Sequence, residues 1–194
     1  MAAALGTWTG LSQTKPKRIE GSTSNVEQPV LYSQYIKGTV GETTEAGDTY
    51  IIPHKFDVVT FIAAQPISAT AKTLLYGDGT AEGAYFADAA TITGPTQITT
   101  AATKGSSTVV LTSGSSIDDT YKGCFVKIRF SSGNVQVVQI IDYAGATTTA
   151  TLADPLAEDI AATGTYYTLK GTLMTVAAAA VTPTLQFQVI GQFE

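Results

Sequence analysis

From Cys124 to Phe130 the chain alternates with a period of two, Cys124, Val126, Ile128 and Phe130 on one phase and Lys127 and Arg129 on the other. That is the pattern of a strand with one covered face. Ser131-Ser132-Gly133-Asn134 supplies a turn and Val135-Gln136-Val137 the return arm, so a hairpin is predicted. In that arm the apolar phase slips between Val137 and Val138, as a β-bulge would produce, ahead of Ile140. A turn at Asp142-Tyr143-Ala144-Gly145 then leads to a third run, Thr147 to Leu152.

Upstream, strands are predicted at Val30–Ile36, Thr49–Ile52, Val58–Ala63, Lys72–Tyr76 and Ala84–Phe86, separated by turn signals at Gly41, Gly47-Asp48, Gln65-Pro66 and Gly77-Asp78-Gly79. Downstream they are predicted at Thr172–Val176 and Thr184–Ile190, the last alternating cleanly through Leu185, Phe187 and Val189. Such spacing belongs to an all-β protein, a β-sandwich or barrel. The first block ends at Gly94-Pro95 and the chain resumes near Lys170-Gly171. The expected organisation is therefore one β domain from residues 30–94 and 171–194, with a second small β domain, residues 95–170, inserted between its strands.

Residues 1–29 carry neither period. They mix Gly, Thr, Ser, Gln and Pro with a basic knot at Lys15, Lys17 and Arg18, and hold the single tryptophan, Trp8. This is the pattern of an extended N-terminal arm, mobile or laid against a partner. Trp and Arg are favoured in interface hot spots, so Trp8, Lys15, Lys17 and Arg18 are the candidate partner-binding residues, although a basic knot is also what a solvated segment carries.

Composition adds two constraints. Charged residues make up 14% of the chain, against about a quarter in ordinary globular proteins. A surface so poor in charge is covered by Thr, Ser, Gln and Ala or by other subunits, and the second alternative is the one expected here. The net charge of −5 argues against nucleic acid as a partner, because that affinity comes from Lys and Arg neutralising phosphates. No run approaches a membrane span and the first residues lack a signal-peptide pattern, so assembly in a cytoplasm, with no membrane partner, is expected.

Candidate chemistry is sparse. His54 is the single histidine and has no nucleophile placed beside it by a local motif, and Cys124 sits on an apolar strand face. Asp118-Asp119 are sequence neighbours on a turn, where both carboxylates face water and stay ionised, whereas acid–base pairs need unlike environments. Asp78 to Glu82 lacks the alternating acids of a calcium loop, and Glu42, Glu45 and Asp48 read as a solvated acidic connection. The expectation is a protein with no catalytic residues, no metal and no cofactor, and not an enzyme. Exposed aromatics such as Tyr32, Tyr35, Tyr76, Tyr85, Tyr166 and Tyr167 would suffice for sugar binding, but on strands they are more often core or interface.

The third quarter of the chain, through "DDTYKG", "GNVQVVQIIDYAGATTTATLADPL" and "GTYYTL", resembles a small β module of tailed-phage virion proteins found in head fibres, decoration proteins and tail fibres. The resemblance implies a virion structural protein. Its leading form is a capsid decoration or cement protein, or the base of a short head fibre, as a homotrimer seated on the major capsid protein or other virion proteins at local threefold points of the shell. The alternative is a receptor- or carbohydrate-binding module of a tail fibre or adhesin.

Overall fold

In a computed structural model the protein is described over residues 5–19, 30–40, 49–66, 84–86, 91–176 and 184–193. Among these the chain is nearly all β, with no α-helix, and it divides into two compact units, Met1–Ala90 with Thr172–Glu194, and Thr91–Gly171.

Unit 1 contains two sheets. The first joins β2 (Trp8–Gln13), β4 (Tyr32–Val40), β15 (Thr184–Gln192) and β6 (Val58–Pro66) in that order, all antiparallel, with β3 (Lys17–Arg18) also on β4. The second runs β1 (Leu5–Gly6), β5 (Thr49–Ile52), β14 (Thr172–Val176) and β7 (Ala84–Phe86), with β1 parallel to β5. Alternation decides what each strand buries: along β15, Leu185, Phe187 and Val189 turn inward while Gln186 is exposed. With Ile36 and Ala64 they meet Tyr50, Ile52 and Met174 of the second sheet and Phe56 in one shared core.

The stretch read as an arm differs from that expectation. Residues 1–4 and 20–29 lie outside the described residues, but Leu5–Gly6, Trp8–Gln13 and Lys17–Arg18 are strands of unit 1. Pairing with β4 supplies the order that local sequence lacks. Trp8 spans the two sheets: its Nε1 donates to Ile51 O at 2.7 Å, and its ring lies 5.1 Å from that of Tyr50 and 5.5 Å from that of Phe187. Gly38 makes room for it, since a Cβ there would stand 2.8 Å from the indole.

Unit 2 is a single antiparallel sheet in the order β8 (Thr91–Gln97), β13 (Tyr166–Lys170), β10 (Phe125–Arg129), β11 (Val135–Ala144), β12 (Thr149–Leu152) and β9 (Thr108–Val110). The β10–β11 hairpin turns at Ser131–Asn134, where Gly133 has φ 93° and Phe130 N donates to Asn134 O at 2.9 Å. Register across it is unbroken, Val126 opposite Val138 and Lys127 opposite Val137. The slip expected at Val137 is therefore absent; the irregularity falls between Ile140 and Asp142, leaving Ile141 outward. Val135 and Val137 point out and are half exposed, so two valines that read as core material lie on the surface. β11 also continues through Ala144, and the turn is a short 3-10 segment, Gly145–Thr147, ahead of β12.

Long connections in unit 2 are held by named bonds. Tyr167 and Tyr143 are buried in the core, and each reaches the 112–115 segment with its hydroxyl, Tyr167 to Thr112 O and Tyr143 to Ser115 O, both at 2.6 Å. Ser115 N in turn donates to Tyr121 Oη at 3.1 Å. A buried phenol needs such a partner, and burial pushes all three phenols up, Tyr167 to about 12. The 155–158 segment is tied to the hairpin by Gln136, which donates to Pro155 O at 2.9 Å and accepts from Ala157 N at 3.0 Å. Glu158 accepts from Ser132 Oγ and Asn134 Nδ2, and these two donors hold its carboxyl below the usual carboxylate range.

Candidate functional site

Groups with reactive potential are placed in structural roles. His54 is buried, stacked on Phe56, with Nε2 3.0 Å from Thr172 Oγ1. Cys124 is buried in unit 2, and burial pushes its thiol well up, away from the thiolate a nucleophile requires. Asp118 and Asp119 part company: Asp118 Oδ1 accepts from Gly145 N at 2.7 Å, whereas Asp119, at φ 58°, pairs with Lys122 at 3.1 Å. Among the described residues, no group of three His, Cys, Asp or Glu side chains is placed to hold a metal ion, and no helix is long and apolar enough to cross a membrane. Glu42, Glu45, Asp48, Asp78 to Glu82 and the strand expected at Lys72–Tyr76 lie outside the described residues.

The outward side of the first sheet of unit 1 is the more informative surface. Residues opposite one another in an antiparallel sheet share a face, so register defines its rows. One row runs Lys17, Ser33, Ile190, Phe61; the next Tyr35, Gln188, Ala63; the third Ser12, Lys37, Gln186. Phe61 is 47% and Tyr35 44% exposed, and Ile190 and Ala63 are partly so. Gln188 Nε2 donates to Ser33 Oγ at 3.3 Å across the first two rows. Lys17, at the margin, and Lys37, next to Tyr35 along β4, are the charged side chains of these rows. A solvated antiparallel face ordinarily carries polar side chains; this one sets two exposed aromatic rings, Tyr35 and Phe61, with Ile190 and Ala63, among serines and glutamines and two lysines.

Of the four residues singled out by sequence, Lys15, Lys17 and Arg18 are exposed, and Lys17 sits in the first row. Trp8 is not with them: its indole faces the opposite side, into the core. Phe61 escaped selection, and Tyr35 stands only among six aromatics that could serve as core, interface or sugar contact, because alternation reveals which side chains share a face and leaves open which face is covered. No family model, curated protein or solved structure matches the chain.

Proposed function

We propose that the protein is a structural component of a bacteriophage virion, a decoration or cement protein bound to the outer surface of the capsid, which it joins after synthesis in the host cytoplasm. Its body is read as a β-sandwich carrying an inserted small β domain. The observation that carries the proposal is the outward face of β4, β15 and β6, where Tyr35 and Phe61 are exposed amid side chains almost without charge. Charge depletion with aromatic enrichment is the compositional mark of an interface core. Support also comes from the resemblance of residues 118–169 and from the low charge of the whole chain.

Three nine-residue strands make a face of roughly 30 Å by 14 Å, at the small end of specific interfaces. One such contact is weak, so durable attachment calls for several copies engaged together, which a homotrimer on the major capsid protein supplies. Lys17 stands at the margin of the face and meets acidic groups of the shell, with Lys15 exposed two residues before it; Arg18, paired with Tyr32, is directed to the other side of the sheet, and Trp8 acts indirectly, by holding β2 in place. Binding to the assembled shell and not to its separate subunits then stabilises the shell by linkage.

Truncating residues 1–29 is an unsuitable test, because it removes β2 and the Trp8 packing along with the basic residues. The suitable one is the double variant Tyr35→Ser, Phe61→Ser, titrated onto capsids that lack the protein and scored by occupancy in electron micrographs. Occupancy falls at least tenfold at equal concentration while the melting curve is kept; full occupancy by the folded variant refutes the proposal.

A further inference from the structure

The two ends of the unit 2 sheet come together at one point. Thr99 N donates to Thr112 Oγ1 at 3.1 Å, and the two hydroxyl oxygens lie 3.1 Å apart. Beyond that point residues 100–103 and the edge of β9 separate and, with Asp159 and Ile160, enclose a shallow groove of about 540 Å³. Its size falls within the range of small-molecule sites.

The groove has an identifiable chemistry. Leu111 N donates to Thr148 O and Leu152 N to Ser107 O, each at 2.8 Å, on either side of the Val109–Ala150 pair. Residues 107, 109 and 111 thus direct their backbone groups at β12, and Thr108 and Val110 direct theirs the other way. Ser106 Oγ closes off Thr108, accepting from its N–H at 3.2 Å and donating to its C=O at 3.0 Å. Val110 has no such cap among the described residues, so its N–H and C=O offer a donor and an acceptor side by side. Asp159 Oδ1 accepts from Lys104 N at 2.7 Å, and its second oxygen remains available as an acceptor. Thr100 and Thr103, each carrying a hydroxyl, and Ala101 and Ala102 complete the walls.

We infer that this groove is a binding site for a neutral saccharide. A sugar presents closely spaced hydroxyls, each donor and acceptor, over patches of C–H, and the walls offer the complementary set. An anion is disfavoured because Asp159 is the one ionisable group lining the groove. An added peptide strand is disfavoured because Ser106 leaves a single residue of the β9 edge open. The site is independent of the virion reading.

The test is a printed array of neutral, sialylated and sulfated glycans probed with the full chain, each hit then titrated by NMR on the amides of Val110 and Ala102. Neutral glycans bind and shift those amides. Asp159→Asn, which keeps the acceptor for Lys104 N, and Thr103→Val each weaken binding about tenfold, the effect of one lost hydrogen bond to a charged or hydroxyl partner. A silent array, binding confined to acidic glycans, or shifts elsewhere with the groove amides unmoved overturns the inference. Because the amide shifts are read on the unsubstituted protein, the result stands even if a variant folds poorly.

Discussion

Unit 1 and unit 2 solve the same problem, how to secure short strands and long connections, by different means. Unit 1 relies on carbon: Trp8, Tyr50, Phe56 and Phe187 join aliphatic side chains from two sheets in a single core. Unit 2 has a core too, but its connections are fixed by polar bonds from side chains to backbone, three tyrosine hydroxyls on the 112–115 segment and Gln136 on the 155–157 segment. The 112–115 connection, Thr-Ser-Gly-Ser, teaches that a stretch without apolar residues can still be ordered if its backbone groups find partners elsewhere in the fold.

The hardest blow to this contrast is Trp8→Ala. It removes an aromatic ring and a hydrogen bond between the sheets of unit 1, and about 3 kcal/mol of stability is expected to go, the lower end for buried aromatics because the ring is only partly covered. Hydrogen exchange should accelerate through β4, β5 and β15 and stay unchanged in β10 and β11. A mobile arm would show no change anywhere. Next is Tyr143→Phe, which keeps the ring and deletes the bond to Ser115 O, for an expected loss of about 1–2 kcal/mol. Its exchange signature should be confined to unit 2, centred on residues 112–121; an effect spread over unit 1 would dissolve the distinction.

Alkaline pH is the mildest probe. A phenol whose folded pKa is raised contributes stability that is complete below its unfolded value near 10 and is lost as pH climbs through the folded value. Tyr167, held at about 12, and Tyr143, raised further, should therefore make unit 2 more sensitive to urea between about pH 10 and 12. Tryptophan-free probes in unit 2 should show the decline, and Tyr167→Phe should flatten part of it. A flat profile in the native sequence would mean that the hydroxyls do not hold the connection.

Much of the fold was legible from the residues themselves. Thr49–Ile52, Ala84–Phe86 and Thr172–Val176 begin and end where β-branched and aromatic residues meet turn signals, and β15 differs by two residues. The early strands were not, because Trp8–Gln13 and Lys17–Arg18 have no period and owe their order to β4, far along the chain. In β11 both phases of the alternation carry valine, so pattern alone could not choose between them; the Ser131–Asn134 turn fixes the register and sends Val135 and Val137 outward. For the same reason the aromatic face of unit 1 stayed hidden: Tyr35 and Phe61 belong to one face, yet only the position of the core tells which side is bare.

Gly38 stands opposite Leu185, on the side of β4 where the indole rests. A single hydrogen atom at that spot leaves the room in which the indole of the opening stretch is seated. Any larger substituent would stand within 3 Å of the indole and force the ring that anchors β2 to shift. The smallest residue in the strand thereby governs the fate of the largest side chain in the protein.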